Sequence, residues 1–265
     1  MAILEVDAVS KSFRIPSVHR TTLREHALGL FRRSAFEELR VLDRVSIAVD
    51  GGETLGIMGR NGSGKSTLLK VMTGIYQPDS GSVREHASLT AILELGVGWN
   101  PELDALDNIL LIGSAMGLPL RTLRAATDEI LAFAELERFA NLKLQHYSSG
   151  MASRLAYAIA FKAVREVLVL DEVFAVGDAG FRTRCEDRYR ELKAAGHTVI
   201  MVSHDPQTIR AFCDRALLLE GGRIIAEGGA AEIAESYLSL LHGTSPGHAE
   251  GNTEVLVPAP DGPHG

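Results

Sequence analysis

The clearest chemistry in this chain lies in nine consecutive residues, Gly59-Arg60-Asn61-Gly62-Ser63-Gly64-Lys65-Ser66-Thr67. They follow the apolar stretch Thr54 to Met58 and precede the helical pattern Thr67 to Gly74. A Gly-x4-Gly-Lys-Ser spacing between a strand and a helix suits a loop that cradles the phosphates of a nucleoside triphosphate. Glycines let successive backbone N–H groups turn inward with no Cβ in the way. The helix that follows points its positive end at the same phosphates. Lys65 is expected to neutralise the β- and γ-phosphates, and the Ser66 hydroxyl to sit on Mg²⁺.

Three further segments could complete a phosphoryl-transfer site. Val167 to Leu170 read as a strand buried on both faces. Asp171 and Glu172 then fall at its carboxyl end, where open α/β sheets bind ligands. Asp171 is expected to bind Mg²⁺ through water, and Glu172 to polarise the attacking water. The plainer alternative is a salt-bridged pair at a strand end. A second buried strand, Thr198 to Val202, ends in Ser203-His204. His204 can hydrogen-bond a γ-phosphate there; taken alone, it would be a structural histidine. Tyr147-Ser148-Ser149-Gly150-Met151 opens an expected helix, Met151 to Ala163, so the Ser148 hydroxyl and the Gly150 N–H lie at a helix N-terminus, an anion site. By itself this segment is a serine-rich helix cap.

The elements that must position these residues alternate as a wound parallel sheet requires. Strands are expected at Ile3–Val9, Val45–Val49 and Thr54–Met58, a mostly helical stretch at Pro101–Leu144, alternating elements to Arg223, and a closing helix at Ala231–Leu241. From Gly243 onward, five Gly and four Pro in 23 residues without periodicity indicate a disordered tail, 243–265. Between the first two strands lies an insertion, 14–40. In it Leu23, Ala27, Leu30 and Phe31 recur at helical spacing beside Arg24, Arg32 and Arg33. Two readings stand there: an amphipathic helix at a membrane surface, or a surface helix packed on its own domain.

Bulk properties narrow the class. The 265 residues can bury one sizeable core, and a net charge of −7 argues against a nucleic-acid binder. No apolar run reaches the roughly 18 residues a spanning helix needs, and the first residues carry no secretion-signal pattern. Cys185 and Cys213 form no metal pattern and read as packed thiols in a reducing compartment.

Taken in order, the glycine loop, the Tyr147–Met151 segment, Asp171-Glu172 and Ser203-His204 resemble the nucleotide-binding subunit of ATP-binding cassette (ABC) transporters, over about residues 1–242. The common family signature is Leu-Ser-Gly-Gly-Gln; here three of its five positions differ, while Ser148 and Gly150 match. The resemblance implies an α/β fold: a P-loop NTPase cassette with a RecA-like core sheet, an N-terminal antiparallel β lobe and a helical subdomain at about 100–163. It also implies the ligands ATP and Mg²⁺, and a catalytic set of Glu172, His204 and Lys65. Gly59 to Thr67 would bind nucleotide, with Phe13 stacked on adenine. Ser148, Ser149, Gly150 and Met151 would contact the ATP held by a second copy, so the implied assembly is a head-to-tail homodimer closed by two ATP molecules. Asp178 matches the acid of the loop that crosses that dimer.

The family's Mg²⁺-sensing Gln is missing, because no Gln lies between Gln77 and Gln145. Glu94 or Leu95 occupies its place; Glu94 would join Ser66 and Asp171 at the metal through water, or be purely structural. Trp99, Asn100 and Pro101 fall where the family receives the membrane subunit, and Trp99 is either an exposed anchor or a packed residue. Tyr147, Ser149 and Met151, with Leu93–Leu103, Asp107-Asn108-Ile109, Asp171–Asp178 and the insertion between the first two strands, resemble the branch that exports O-antigen, capsule, galactan or teichoic acid. That branch implies a peripheral protein on the cytoplasmic face of the inner membrane. It would work with two copies of an integral membrane permease and no nucleic acid, and the permease would make most contacts with the polysaccharide. The tail is too short for the carbohydrate-binding domain of some relatives, so export is expected not to need a terminal sugar cap read by this subunit. Export of a drug or lipid, and a soluble ABC-type ATP switch, are the alternatives.

Overall fold

Short apolar runs form the centre of the molecule. The computed structural model describes residues 1–16, 36–92, 98–171 and 178–242. Strands β3 (Thr54–Met58), β6 (Val167–Asp171) and β7 (Thr198–Val202) coincide with the expected ones, and each is buried along its length apart from the half-buried Asp171. With β5 (Leu89–Ile92), β8 (Arg215–Glu220) and β9 (Arg223–Gly229) they form a six-stranded sheet of order β5-β6-β7-β3-β8-β9. All its pairings are parallel except β8–β9. Alternate residues serve opposite faces: Leu168, Leu170, Val199 and Met201 belong to one core cluster, and Val167, Val169, Ile200 and Val202 to another. Burial on both faces explains why these runs lack polar alternation.

Helix α1 (Lys65–Met72) packs in the second cluster together with a three-stranded antiparallel sheet of order β2-β1-β4. Its strands are β1 (Ala2–Pro16), β2 (Phe36–Asp50) and β4 (Ser80–Glu85). The first cluster is covered by α4 (Ser149–Lys162), α5 (Ala179–Ala194), α6 (Pro206–Phe212) and α7 (Ala230–His242). The expected helical stretch holds α2 (Ala105–Ala115), α3 (Leu120–Ala134) and two short 3₁₀ turns. With the outward face of α4 these form a third cluster around Ile109, Leu123, Ile130 and Leu155.

The insertion departs from its expected boundaries. Arg14, Ile15 and Pro16 pair with Glu38, Glu37 and Phe36, so both flanks are strand. The strand ladder satisfies the backbone of these flanks, which exceed the apolar cores Ile3–Val9 and Val45–Val49 on which the expected boundaries rested. The residues that carried the expected helix (Leu23, Arg24, Ala27, Leu30, Phe31, Arg32, Arg33) lie outside the described residues, as do Glu94, Leu95, Glu172 and the tail 243–265.

Candidate nucleotide-binding site

The loop Gly59–Thr67 leaves β3 at the sheet's carboxyl edge, flanked by β7 and β8. A Cβ on Gly59 would collide with the Leu219 carbonyl and the Ser63 hydroxyl. Gly64 holds φ 107° and has the Val41 carbonyl where a Cβ would stand. Only glycine meets both demands. Gly64 is also the N-cap of α1, and no side chain caps that helix end. By contrast, Asp104, Ser148, Asp178 and Asp205 cap α2, α4, α5 and α6. No side chain therefore competes with an external anion at this helix end.

Lys65 folds back over the loop. Its buried ammonium donates to the carbonyls of Gly59 at 2.8 Å and Arg60 at 3.0 Å. The hydroxyl of Ser63 is buried without a hydrogen-bond partner among the described residues. An uncapped helix end, a buried cation and an orphaned hydroxyl around a glycine cradle fit a triphosphate.

Ser66 donates to the Asp171 carboxylate at 3.0 Å, although 105 residues separate them. Strand β7 lies between β3, which leads into the helix of Ser66, and β6, which ends in Asp171, and its end places Ser203 and His204 on the same edge of the sheet. A hydroxyl beside a carboxylate is a hard-oxygen pair of the kind Mg²⁺ uses together with substrate phosphates. No group of three or more His, Cys, Asp or Glu side chains suited to a metal occurs among the described residues. Mg²⁺ at this pair would therefore depend on phosphate oxygens for other ligands. His204 is exposed and faces an open cleft with Arg60, Asn61, Tyr237 and Leu241. The last two belong to α7, and sequence reading assigned them nothing.

Phe13, the expected adenine-stacking ring, lies on β1. Its half-buried ring meets Tyr76 edge-on at 5.5 Å between centroids, and Lys11 Nζ lies 5.7 Å from its centre. Tyr76 follows the carboxyl end of α1, the end away from the loop.

Ser148 is the N-cap of α4, and its Oγ accepts from the Met151 N–H at 3.2 Å. Ser148 and Ser149 are exposed, Gly150 has room for a Cβ, and Met151 packs on the helical cluster. Tyr147 is anchored by its hydroxyl, which donates to the Phe139 carbonyl at 2.8 Å. Among the described residues, no hydrogen bond or shared cleft joins this segment to the glycine loop. Asp178 caps α5 by accepting from the Phe181 N–H at 3.0 Å, and pairs with Arg154 of α4. The Phe181 hydrogen bond, and then the Arg154 charge, hold the Asp178 carboxyl below its ordinary range.

Trp99 is half-buried against the helical cluster, which favours its packed reading. The loop around it is fixed by the fully buried Asn108, which accepts from the Asn100 N–H at 2.9 Å and donates to the Asp104 carbonyl at 2.8 Å. The motif Asp107-Asn108-Ile109 was visible in the sequence, but this latch was not. Cys185 and Cys213 are buried and unpaired with each other, as packed thiols should be.

The family model for the ABC transporter matches residues 42–175. The O-antigen export system ATP-binding protein RfbE of Yersinia enterocolitica is 36% identical over 83% of this chain and 95% of its own. The teichoic acids export ATP-binding protein TagH of Staphylococcus epidermidis is 30% identical over 90% of this chain and 89% of its own. Among solved structures, the dimeric post-hydrolysis state of the ATP-binding cassette MJ0796 bound to ADP and Pi superposes with a TM-score of 0.69, at 24% identity, over 86% of this chain and 98% of that one. Among the described residues no helix is long and apolar enough to cross a membrane. With its glycine cradle, its Ser66–Asp171 pair and its capped signature helix in place, this chain belongs to the ABC transporter ATP-binding family.

Proposed function

We propose that this chain is the ATP-hydrolysing subunit of an ABC exporter that moves a lipid-linked polysaccharide across the cytoplasmic membrane. It works as a homodimer on the cytoplasmic face, beneath two copies of a membrane-spanning permease, and the permease makes most contacts with the glycan. The observation that carries the enzymatic reading is the 3.0 Å contact between Ser66 and Asp171, which joins the phosphate loop to the acid at the end of β6.

The reaction is in-line attack of water on the γ-phosphorus, and catalysis is mostly positioning and electrostatics. Lys65, held over the loop by the Gly59 and Arg60 carbonyls, exchanges these for phosphate oxygens. The α1 N-terminus and the loop N–H groups take up the remaining phosphate charge. Ser66 and Asp171 would hold Mg²⁺, which when bound neutralises charge on the β- and γ-phosphates. Glu172 accepts the proton of the attacking water, and His204 fixes the γ-phosphate from the neighbouring strand end. Ser148 and Gly150 cover the γ-phosphate bound to the partner, so ATP joins the two chains and its hydrolysis releases them. The glycan assignment draws on the similarity to RfbE and TagH, whose names concern O-antigen and teichoic acid export.

Affinity purification of the tagged chain from native membranes tests the assignment. Recovery of a polytopic membrane protein is expected, with lipid-linked glycan accumulating in the cytoplasmic leaflet when Lys65→Ala replaces the wild type. Recovery of ribosomes or nucleic acid, or undisturbed glycan export by the variant, would reject it.

A further inference from the structure

Four charged side chains tie α3, the signature helix α4 and the start of α5 together. Glu135 ends α3 with φ 59° and ψ 41°, a left-handed conformation that suits glycine and strains a larger residue. Its carboxylate accepts from Arg154 Nη1 at 2.7 Å and from Arg184 Nη2 at 2.5 Å. Arg184, on α5, also donates to the Phe133 carbonyl at 2.9 Å, one of the acceptors left open at the end of α3. Arg154 uses its other Nη for Asp178, and its guanidinium lies 5.3 Å from the centre of the Phe181 ring. One planar fork thus bridges two carboxylates from different parts of the molecule.

Stability alone does not account for Glu135. Its side chain is 48% exposed against 18% for Arg154, so solvent screens the pair from the glutamate side and its contribution to folding is modest. Glycine would relieve the backbone strain at the same place. What the glutamate does supply is a fixed geometry. Arg154 lies within two helical turns of Ser148, and its far end meets Asp178 at the cap of α5.

We infer that Glu135 is a positioning residue for ATP hydrolysis: by holding Arg154, it makes the signature segment and the Asp178 turn move as one body with α3. This rests on the reading of the chain as an ATP-closed dimer, in which Ser148 and Asp178 both face the partner. Binding of ATP to one copy would then be transmitted through the Arg154 fork to the loop beside the other site. Loss of Glu135 would leave nucleotide binding to each chain intact and uncouple the two sites.

The test compares wild type, Glu135→Gly, Glu135→Gln and Glu135→Asp in the full chain. Thermal unfolding, binding of a fluorescent ATP analogue, ATP-driven dimerisation and the ATP dependence of hydrolysis are measured for each. Wild type is expected to dimerise with ATP and to hydrolyse it cooperatively. Glu135→Gly is expected to keep or raise Tm and to bind nucleotide within twofold of wild type, yet to lose at least fivefold in kcat with a Hill coefficient near 1. Glu135→Gln should show the same kinetic loss, and Glu135→Asp should recover at least half the rate. Wild-type kcat and cooperativity in Glu135→Gly would overturn the inference while leaving the dimer reading intact. So would a fall in Tm that tracks the loss of rate, which would make the network purely structural. A wild type that stays monomeric and non-cooperative with ATP would overturn the dimer reading itself and this inference with it.

Discussion

Ser66, in the first turn of the helix that follows β3, and Asp171, at the end of β6, meet at 3.0 Å, and strand β7 lies between β3 and β6. This contact ties the order of the buried sheet to the site proposed for Mg²⁺. Strand β7 fixes the distance, and its own end carries His204. The Ser66 hydroxyl is a partly exposed donor, and losing such a bond costs only about 1 kcal/mol of stability. Ser66→Ala should therefore fold with nearly wild-type Tm. Removing a hydroxyl ligand from the metal should lower kcat on the order of 10–100-fold, and the Mg²⁺ concentration for half-maximal rate should rise. A rate and Mg²⁺ dependence equal to wild type would remove Ser66 from the metal site.

Glu172 follows Asp171 directly in sequence and is the expected base. Glu172→Gln keeps the size and the hydrogen-bonding capacity but cannot take a proton. Positioned bases contribute about 10²–10⁴-fold, so turnover should fall by that range while ATP affinity stays within about twofold. Equilibrium binding and single-turnover hydrolysis separate the two quantities. Hydrolysis at the wild-type rate would take the base role away from Glu172.

Much of this arrangement was legible in the sequence, for physical reasons. Strands β3, β6 and β7 are buried on both faces, so they appear as unbroken apolar runs, and the ligand-facing residues must follow directly at their ends. The glycine loop was legible because its backbone demands, seen at Gly59 and Gly64, exclude other residues. The extended β1–β2 ladder was not, since residues such as Arg14, Glu37 and Glu38 pair through backbone groups that every residue carries. Nor was the Arg154 junction. Its partners Glu135 and Asp178 lie 19 and 24 residues away on different helices, and no local period relates them. Tyr237 likewise reaches the Arg60–His204 cleft only because α7 folds back over the sheet.

Burial pushes the Cys185 and Cys213 thiols up to about 12 from an ordinary value of 9.0. In both cases the proton is held longer in the folded chain than in the unfolded one. The resulting contribution to stability is complete below pH 9 and is lost as pH rises from there toward about 12, because the unfolded chain releases these protons first. Both thiols should also resist alkylation in the native state. At pH 8, iodoacetamide labelling of the native chain should be ~100-fold or more slower than that of the chain in denaturant. Rapid labelling of either cysteine in the folded protein would contradict their burial in the core cluster beneath α5 and α6.

The shared-site arrangement has a test that separates fold from function. Gly150 is the second residue of α4, and the nearest atom to an added Cβ is the Ser148 Oγ at 3.9 Å. An aspartate there has space, and a carboxylate in the first turn of a helix is favourable by about 0.3–1 kcal/mol. Gly150→Asp should thus keep or raise Tm. Its charge would nevertheless face the γ-phosphate held by the partner, and the homodimer should be inactive. Lys65→Ala should be inactive for a different reason, the loss of the cation folded over the loop. When the two variants are mixed, each hybrid dimer carries both lesions in one site and none in the other. Random pairing makes half the dimers hybrids, each with one intact site, so the rate is expected to rise above that of either parent, up to about a quarter of the wild-type rate, with the coupling between the sites setting how far. Differential tags establish that hybrids form. Hybrids with no activity above either parent would show that an intact site is not built from one chain's loop and the other chain's signature.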